Sequence, residues 1–139
     1  MTTGVSSQQA EYKESPLYED MNLPFSDAVR VGNMLYLSGQ IGLDPKTMLL
    51  VEGGIGPETR QTMENISDTL ARSGSTLDNL VSCTVFMAHM DEWPAMNDIY
   101  ASYFSDHFPA RSAFGANGLA LGARVEISCI ATVPEVLPE

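Results

Sequence analysis

From position 28 onward the chain alternates short apolar stretches with polar breaks. Ala28-Val29-Arg30-Val31 and Met34-Leu35-Tyr36-Leu37 flank Gly32-Asn33, a dipeptide suited to the positive φ angles of a tight turn, which predicts a β-hairpin. Residues 42–56 carry turn chemistry, Asp44-Pro45-Lys46-Thr47 and Gly53-Gly54, around a run at 48–51 that reads as a small third strand. Pro57 suits the first helical turn, Glu58 favours its positive end, and Met63, Ile66 and Leu70 recur on one helical face. That spacing predicts a helix over 57–73, closed by Gly74. Residues 80–87, Leu-Val-Ser-Cys-Thr-Val-Phe-Met, are short and rich in β-branched and aromatic types, as a buried strand is. Trp93, Met96, Ile99, Tyr100, Tyr103 and Phe104 then keep helical spacing across 92–105, with Pro94 in the first turn. A short strand at 111–114, a glycine-bearing loop at 115–122 and an alternating strand at 124–133 complete the series.

The order strand, strand, helix, strand, helix, strand, strand predicts an α+β fold in which two helices cover one face of a mixed sheet. Along 124–133, Val125, Ile127, Cys129, Ala131 and Val133 alternate with Glu126, Ser128, Ile130 and Thr132. No further helix remains to bury the second, mixed face, so another subunit is expected to cover it. Residues 1–20 are polar, acidic and broken by Pro16, which reads as a flexible tail or a lightly docked arm ahead of one domain over 21–139.

Size and charge narrow the functions. At 139 residues the chain has the length of one domain, with 44% apolar residues to fill its core. Seven Lys and Arg stand against 18 Asp and Glu, a net charge of −11, which disfavours attraction to nucleic acid or to anionic membranes. The first residues lack a basic stretch followed by an apolar one, and no apolar run reaches membrane-spanning length, so a soluble cytoplasmic protein is expected. Cys83 and Cys129 lie in strand-like segments and are expected to be free thiols in a reducing compartment. They and the two histidines, His89 and His107, lack the close spacing of a metal site.

Few residues remain as candidates for chemistry. Ser38 lies in Leu-Ser-Gly-Gln rather than a nucleophile elbow, and the glycines at 53–56 lack the lysine and hydroxyl of a phosphate-binding loop. Arg111 is one of five arginines and follows Phe108-Pro109-Ala110 at a strand start. It either joins a surface ion pair or grips a small carboxylate through two parallel hydrogen bonds. Glu126, between Val125 and Ile127, is either solvated at an edge or held for proton transfer.

Together these segments resemble the RidA (YjgF) family of small trimeric enamine/imine deaminases. The resemblance spans about residues 23–133 and rests on Pro24-Phe25-Ser26-Asp27-Ala28-Val29, the run Gly32 to Ile41, Thr84-Val85-Phe86, Met96-Asn97-Asp98-Ile99-Tyr100, Phe108-Pro109-Ala110-Arg111-Ser112-Ala113 and Arg124-Val125-Glu126-Ile127. It implies a chorismate-mutase-like fold, a homotrimer around a central barrel, and active sites in clefts between subunits. The implied activity is cofactor-independent hydrolysis of 2-aminoacrylate, 2-iminobutyrate and related 2-imino acids to 2-keto acids and ammonia. By the same resemblance, Arg111 binds the substrate carboxylate and Glu126 positions and activates the attacking water. Ser38, Asn97 and the aromatic Phe25 line the pocket, with backbone near Gly39 and Ala113 offering hydrogen bonds to the imine nitrogen or the water. No metal is implied.

The chain also departs from the family pattern. Phe25 replaces a tyrosine common in the family, Ala113 stands where some members carry a reactive cysteine, and 114–121 lacks the usual Leu-Pro. The missing Phe25 hydroxyl keeps open a trimer that binds a 2-keto acid without turning it over; the resemblance also implies a chaperone-like or RNA-cleaving alternative, and the charge of −11 speaks against the RNA-cleaving one.

Overall fold

The computed structural model describes residues 9–135. Six strands, β1 (Glu11–Lys13), β2 (Ala28–Val31), β3 (Met34–Leu37), β4 (Leu80–Met87), β5 (Ala110–Gly115) and β6 (Val125–Thr132), form one sheet in the order β1-β2-β3-β6-β4-β5. All neighbours are antiparallel except β4 and β5. The mixed sheet with two helices, α1 (Ile55–Arg72) and α2 (Trp93–Ala101), is the expected α+β architecture.

Local chemistry sets the element ends. The β2–β3 hairpin turns through Gly32 at φ 59°, as its Gly-Asn turn predicts. Helix α1 starts two residues earlier than expected, because Gly54 at φ 88° is its N-cap and Pro57 still falls in the first turn, where its missing amide costs nothing. It ends in a Schellman arrangement: Gly74, at φ 80°, donates its amide to Ala71, and Ser75 donates to Leu70. Helix α2 is shorter than the predicted 92–105, with a 3₁₀ turn at Met90–Glu92 before it.

One helical face of α1 buries Met63, Ile66 and Leu70 against Leu35, Val85, Ile127 and Ala131 of the sheet. Burial of a side chain of this kind contributes about 1.5–3 kcal/mol. Strand β6 alternates strictly, its odd positions buried under the helices and Glu126, Ser128, Ile130 and Thr132 only half-buried on the opposite face. Tyr36, paired with Ile130, stands on that face with 45% of its surface exposed.

Two expectations need correction and one is narrowed. The run at 48–51 forms no strand; a single bridge joins Leu43 to Leu50, and Met48 at φ 60° breaks the extended backbone. Of the stretch read as a flexible tail or a lightly docked arm, residues 1–8 lie outside the described residues; beyond them Tyr12 pairs with Val29 and a 3₁₀ turn at Pro16–Met21 follows, capped by the Ser15 hydroxyl, so this part is a docked arm. Finally, Cys83 and Cys129 are joined as a disulfide, not free thiols. The β4–β6 register sets them directly opposite each other on the buried face, with Cα atoms 4.1 Å apart. The inference of a reducing compartment from free thiols thereby loses its premise.

Candidate active site

Glu126 projects from the helix-free face of β6, and its strand is pinned at that point. The Gln40 amide donates to the Ile127 carbonyl and the Ile127 amide donates back to Gln40, each at 2.9 Å. Segment 38–40 therefore runs alongside Glu126, and Gly39 packs directly against its carboxylate. The segment has its own anchor in Asp27, which is buried and accepts from Gln40 Nε2 (3.1 Å), Thr69 Oγ1 (3.0 Å) and Arg72 Nη2 (3.1 Å). Asp27 links the start of β2, the segment after β3 and the end of α1. Its importance was missed in the sequence, where an aspartate before an apolar strand looks like an ordinary turn residue.

A cleft of about 570 Å³ opens in front of Glu126. Phe25, Ser38 and Gly39 line it together with Glu126. The Ser38 hydroxyl donates to the Ser26 carbonyl at 2.6 Å, which fixes its rotamer and leaves its lone pairs toward the cleft as acceptors. Residues Glu14, Ser15 and Tyr18 of the docked arm form one wall, and Met48 and Leu121 contribute to the lining. Burial, then the neighbouring Asp27 charge, hold the Tyr18 phenol above its ordinary value of 10.0, so it is neutral near pH 7.

Arg111 lies elsewhere. In the β4–β5 register it pairs with Cys83, on the face packed against the helices, whereas Glu126 pairs with Phe86 on the opposite face. Its guanidinium carbon sits 5.6 Å from the ring centroid of Trp93 and 4.8 Å from that of Tyr100. Cation–π contacts of this kind contribute about 0.5–2 kcal/mol each and hold the planar group in place. Asn97, one turn after Trp93, shares their helical face, and Ala113, two residues along β5, shares the face of Arg111. Among the described residues no carboxylate pairs with Arg111, despite the abundance of acidic side chains. Its donors thus remain available for a ligand carboxylate. Trp93 and Tyr100 were visible in the sequence only as core-type helical residues; their stacking on Arg111 needed the fold.

Phe25, Ser38, Gly39 and Glu126 thus lie together at the cleft, whereas Asn97, Arg111 and Ala113 lie at the sheet edge formed by β5. Glu126 and Arg111 stand on opposite faces of one sheet. Arg124 braces the region between them, holding Glu92 through two hydrogen bonds of 2.8 and 2.9 Å while its amide donates to the buried Glu58. No group of His, Cys, Asp and Glu side chains that could hold a metal occurs among the described residues. No helix among them is long and apolar enough to cross a membrane.

The profile of a protein family described as Endoribonuclease L-PSP matches residues 19–133. A goat protein named 2-iminobutanoate/2-iminopropanoate deaminase is 43% identical over 108 residues, covering 78% of this chain and 79% of its own. The human protein of the same name is 40% identical over the same shares. Among solved structures, YyfA of the Rid protein family from Yersinia pestis superposes with a TM-score of 0.84 at 39% identity, covering 90% of this chain and all of its own.

Proposed function

Because the chain belongs to the Endoribonuclease L-PSP family and its mammalian relatives are named as imine deaminases, we propose that it hydrolyses small 2-imino acids, and the enamines that tautomerise to them, to 2-keto acids and ammonia. The observation that carries this reading is that one chain offers both an arginine with no carboxylate partner among the described residues, stacked on Trp93 and Tyr100, and a carboxylate held over a cleft beside Gly39. A 2-imino acid asks for those two groups: a fork for its carboxylate, and an acceptor for the proton of attacking water.

In this reading Arg111 binds the carboxylate by two parallel hydrogen bonds and so fixes the imine carbon. Glu126 orients a water molecule and takes its proton as the oxygen adds to that carbon. That proton passes to the nitrogen to give a carbinolamine; Glu126 then moves the carbinolamine hydroxyl proton to the amino group, the carbon–nitrogen bond breaks as the carbonyl forms, and ammonia leaves. Water is the only co-reactant, and no cofactor is required. The hydrolytic route and 2-aminoacrylate as a substrate are part of the proposal.

The same geometry supports a reading of the assembly. Arg111 and Glu126 of one chain face opposite ways, so a complete site takes its carboxylate from one copy and its arginine from a neighbour. A homotrimer with sites between subunits fits this requirement, and the exposed Tyr36 and Phe114 on or beside the helix-free face supply apolar surface for it. The reading includes a cytoplasmic location and no nucleic-acid or membrane partner; the charge of −11 works against RNA as the substrate.

The test is the decay of 2-iminobutanoate generated from threonine by a dehydratase, with and without the protein. Faster decay that disappears in Arg111→Ala supports the deaminase. Unchanged decay overturns it, and calorimetric binding of 2-ketobutyrate would then identify a carboxylate-binding module.

A further inference from the structure

Three non-glycine residues among those described hold a positive φ: Asn22 (52°), Met48 (60°) and Leu121 (57°). All three line the Glu126 cleft. Asparagine visits this region readily, but in methionine and leucine the Cβ crowds the following carbonyl, and glycine would relieve the strain. Among the described residues glycine holds a positive φ at six other positions, Gly118 and Gly122 near Leu121 among them. Strained backbone that persists at one cleft points to a task for the side chains it aims.

Neither side chain is retained by core packing. Leu121 is 72% exposed, in a 3₁₀ turn closed by hydrogen bonds from Gly122 to Leu119 and from Ala123 to Ala120. Met48 is half-buried, and its amide donates to Asp44 at 2.7 Å. With Ile41 and Leu43 they give the cleft an apolar lining beside the carboxylate. In a single chain, without the neighbour that supplies Arg111, the cleft measures about 570 Å³, within the range of roughly 300–1,000 Å³ of ligand pockets.

We propose that Met48 and Leu121 are specificity-determining residues that select 2-imino acids with a branched or extended apolar side chain over the three- and four-carbon acids. This rests on the deaminase reading and deepens it: the reacting carbon stays between Arg111 and Glu126, and the carbon chain of the substrate lies along Met48 and Leu121.

The experiment compares 2-imino-4-methylpentanoate with 2-iminopropanoate, formed from leucine and alanine by an amino-acid oxidase with catalase present, in the full chain and in Met48→Gly and Leu121→Gly. Glycine accepts both backbone conformations, so the variants are expected to fold, and thermal melting checks this. The expected result is a kcat/KM for the longer imine at least about tenfold above the shorter one, with each substitution cutting that preference by about tenfold. Preference for the shorter imine, or parallel losses on both, overturns the proposal. So does dissociation of the assembly in Leu121→Gly, which would make that side chain a subunit contact. If neither imine decays faster, the deaminase reading has failed separately; calorimetry with 4-methyl-2-oxopentanoate and pyruvate then reads the same preference as binding, and equal affinities overturn it.

Discussion

Gly39 leaves the space that the Glu126 carboxylate occupies: a Cβ built at position 39 would overlap one carboxylate oxygen and stand 3.0 Å from the carboxyl carbon. Gly39 is not among the residues at positive φ, so its backbone accepts alanine and only the carboxylate has to move. Gly39→Ala is therefore expected to leave the melting temperature nearly unchanged while lowering kcat by roughly 100-fold, the cost of misplacing a catalytic group by about 1 Å. A melting curve and an imine-decay assay on the same sample check this; full activity in the variant would mean that Glu126 does not act from this position.

Glu126→Gln keeps the shape of the side chain and removes the proton acceptor. In the proposed mechanism it lowers kcat by about 100-fold or more and changes KM much less. Arg111→Lys should raise KM, since an ammonium keeps the charge but cannot make two parallel bonds or stack on Trp93 and Tyr100 as a guanidinium does. Steady-state kinetics separates the two patterns, and a raised KM in Glu126→Gln with unchanged kcat would reverse the roles.

Most of the fold was legible because its elements are signalled locally. The Gly-Asn turn, the 63/66/70 stripe of α1 and the alternation of β6 each declare a period, and each element formed where its period placed it. What failed was non-local. The pairing of Cys83 with Cys129 depends on the register between strands far apart in sequence. The docking of 11–13 depends on an edge of β2 that a three-residue polar strand does not announce. For the site, the residue types at Arg111 and Glu126 could be singled out, but that they face opposite sides of one sheet follows from a parallel β4–β5 pairing no spacing reveals.

Tyr100 offers a test of packing. Its hydroxyl is the buried side-chain polar atom without a hydrogen-bond partner among the described residues, beneath the Arg111 guanidinium. Burying an unpaired hydroxyl is unfavourable, so Tyr100→Phe is expected to stabilise the protein by about 1 kcal/mol, read from the urea midpoint. A loss of stability would show that a neighbouring subunit supplies a partner.

The same residue fixes the sign of an alkaline effect. Burial raises the Tyr100 phenol above 10.0, the Arg111 charge opposing it in part, and burial raises Tyr18 and Tyr103 as well. Above pH 10 the unfolded chain loses these protons first and binds fewer than the folded one, so stability falls as pH rises past that value. Denaturant midpoints between about pH 9 and 11 should decline, less steeply in Tyr100→Phe, while tyrosinate absorbance lags behind that of the unfolded protein. A midpoint independent of pH across that window would contradict the assignment.

The opposed faces of Arg111 and Glu126 lead to the sharpest expectation for the assembly. If each site draws its arginine from one copy and its carboxylate from another, Arg111→Ala and Glu126→Gln chains are each inactive alone but complement one another. A site formed by the intact Arg111 of a Glu126→Gln chain and the intact Glu126 of an Arg111→Ala chain has both groups. Equal amounts of the two variants, unfolded together and refolded, should recover roughly a quarter of wild-type activity, the share of such sites when chains mix at random. Mixing the folded variants without exchange recovers none. If both groups came from the same chain, every site in the mixture would lack one of them, and refolding together would restore nothing.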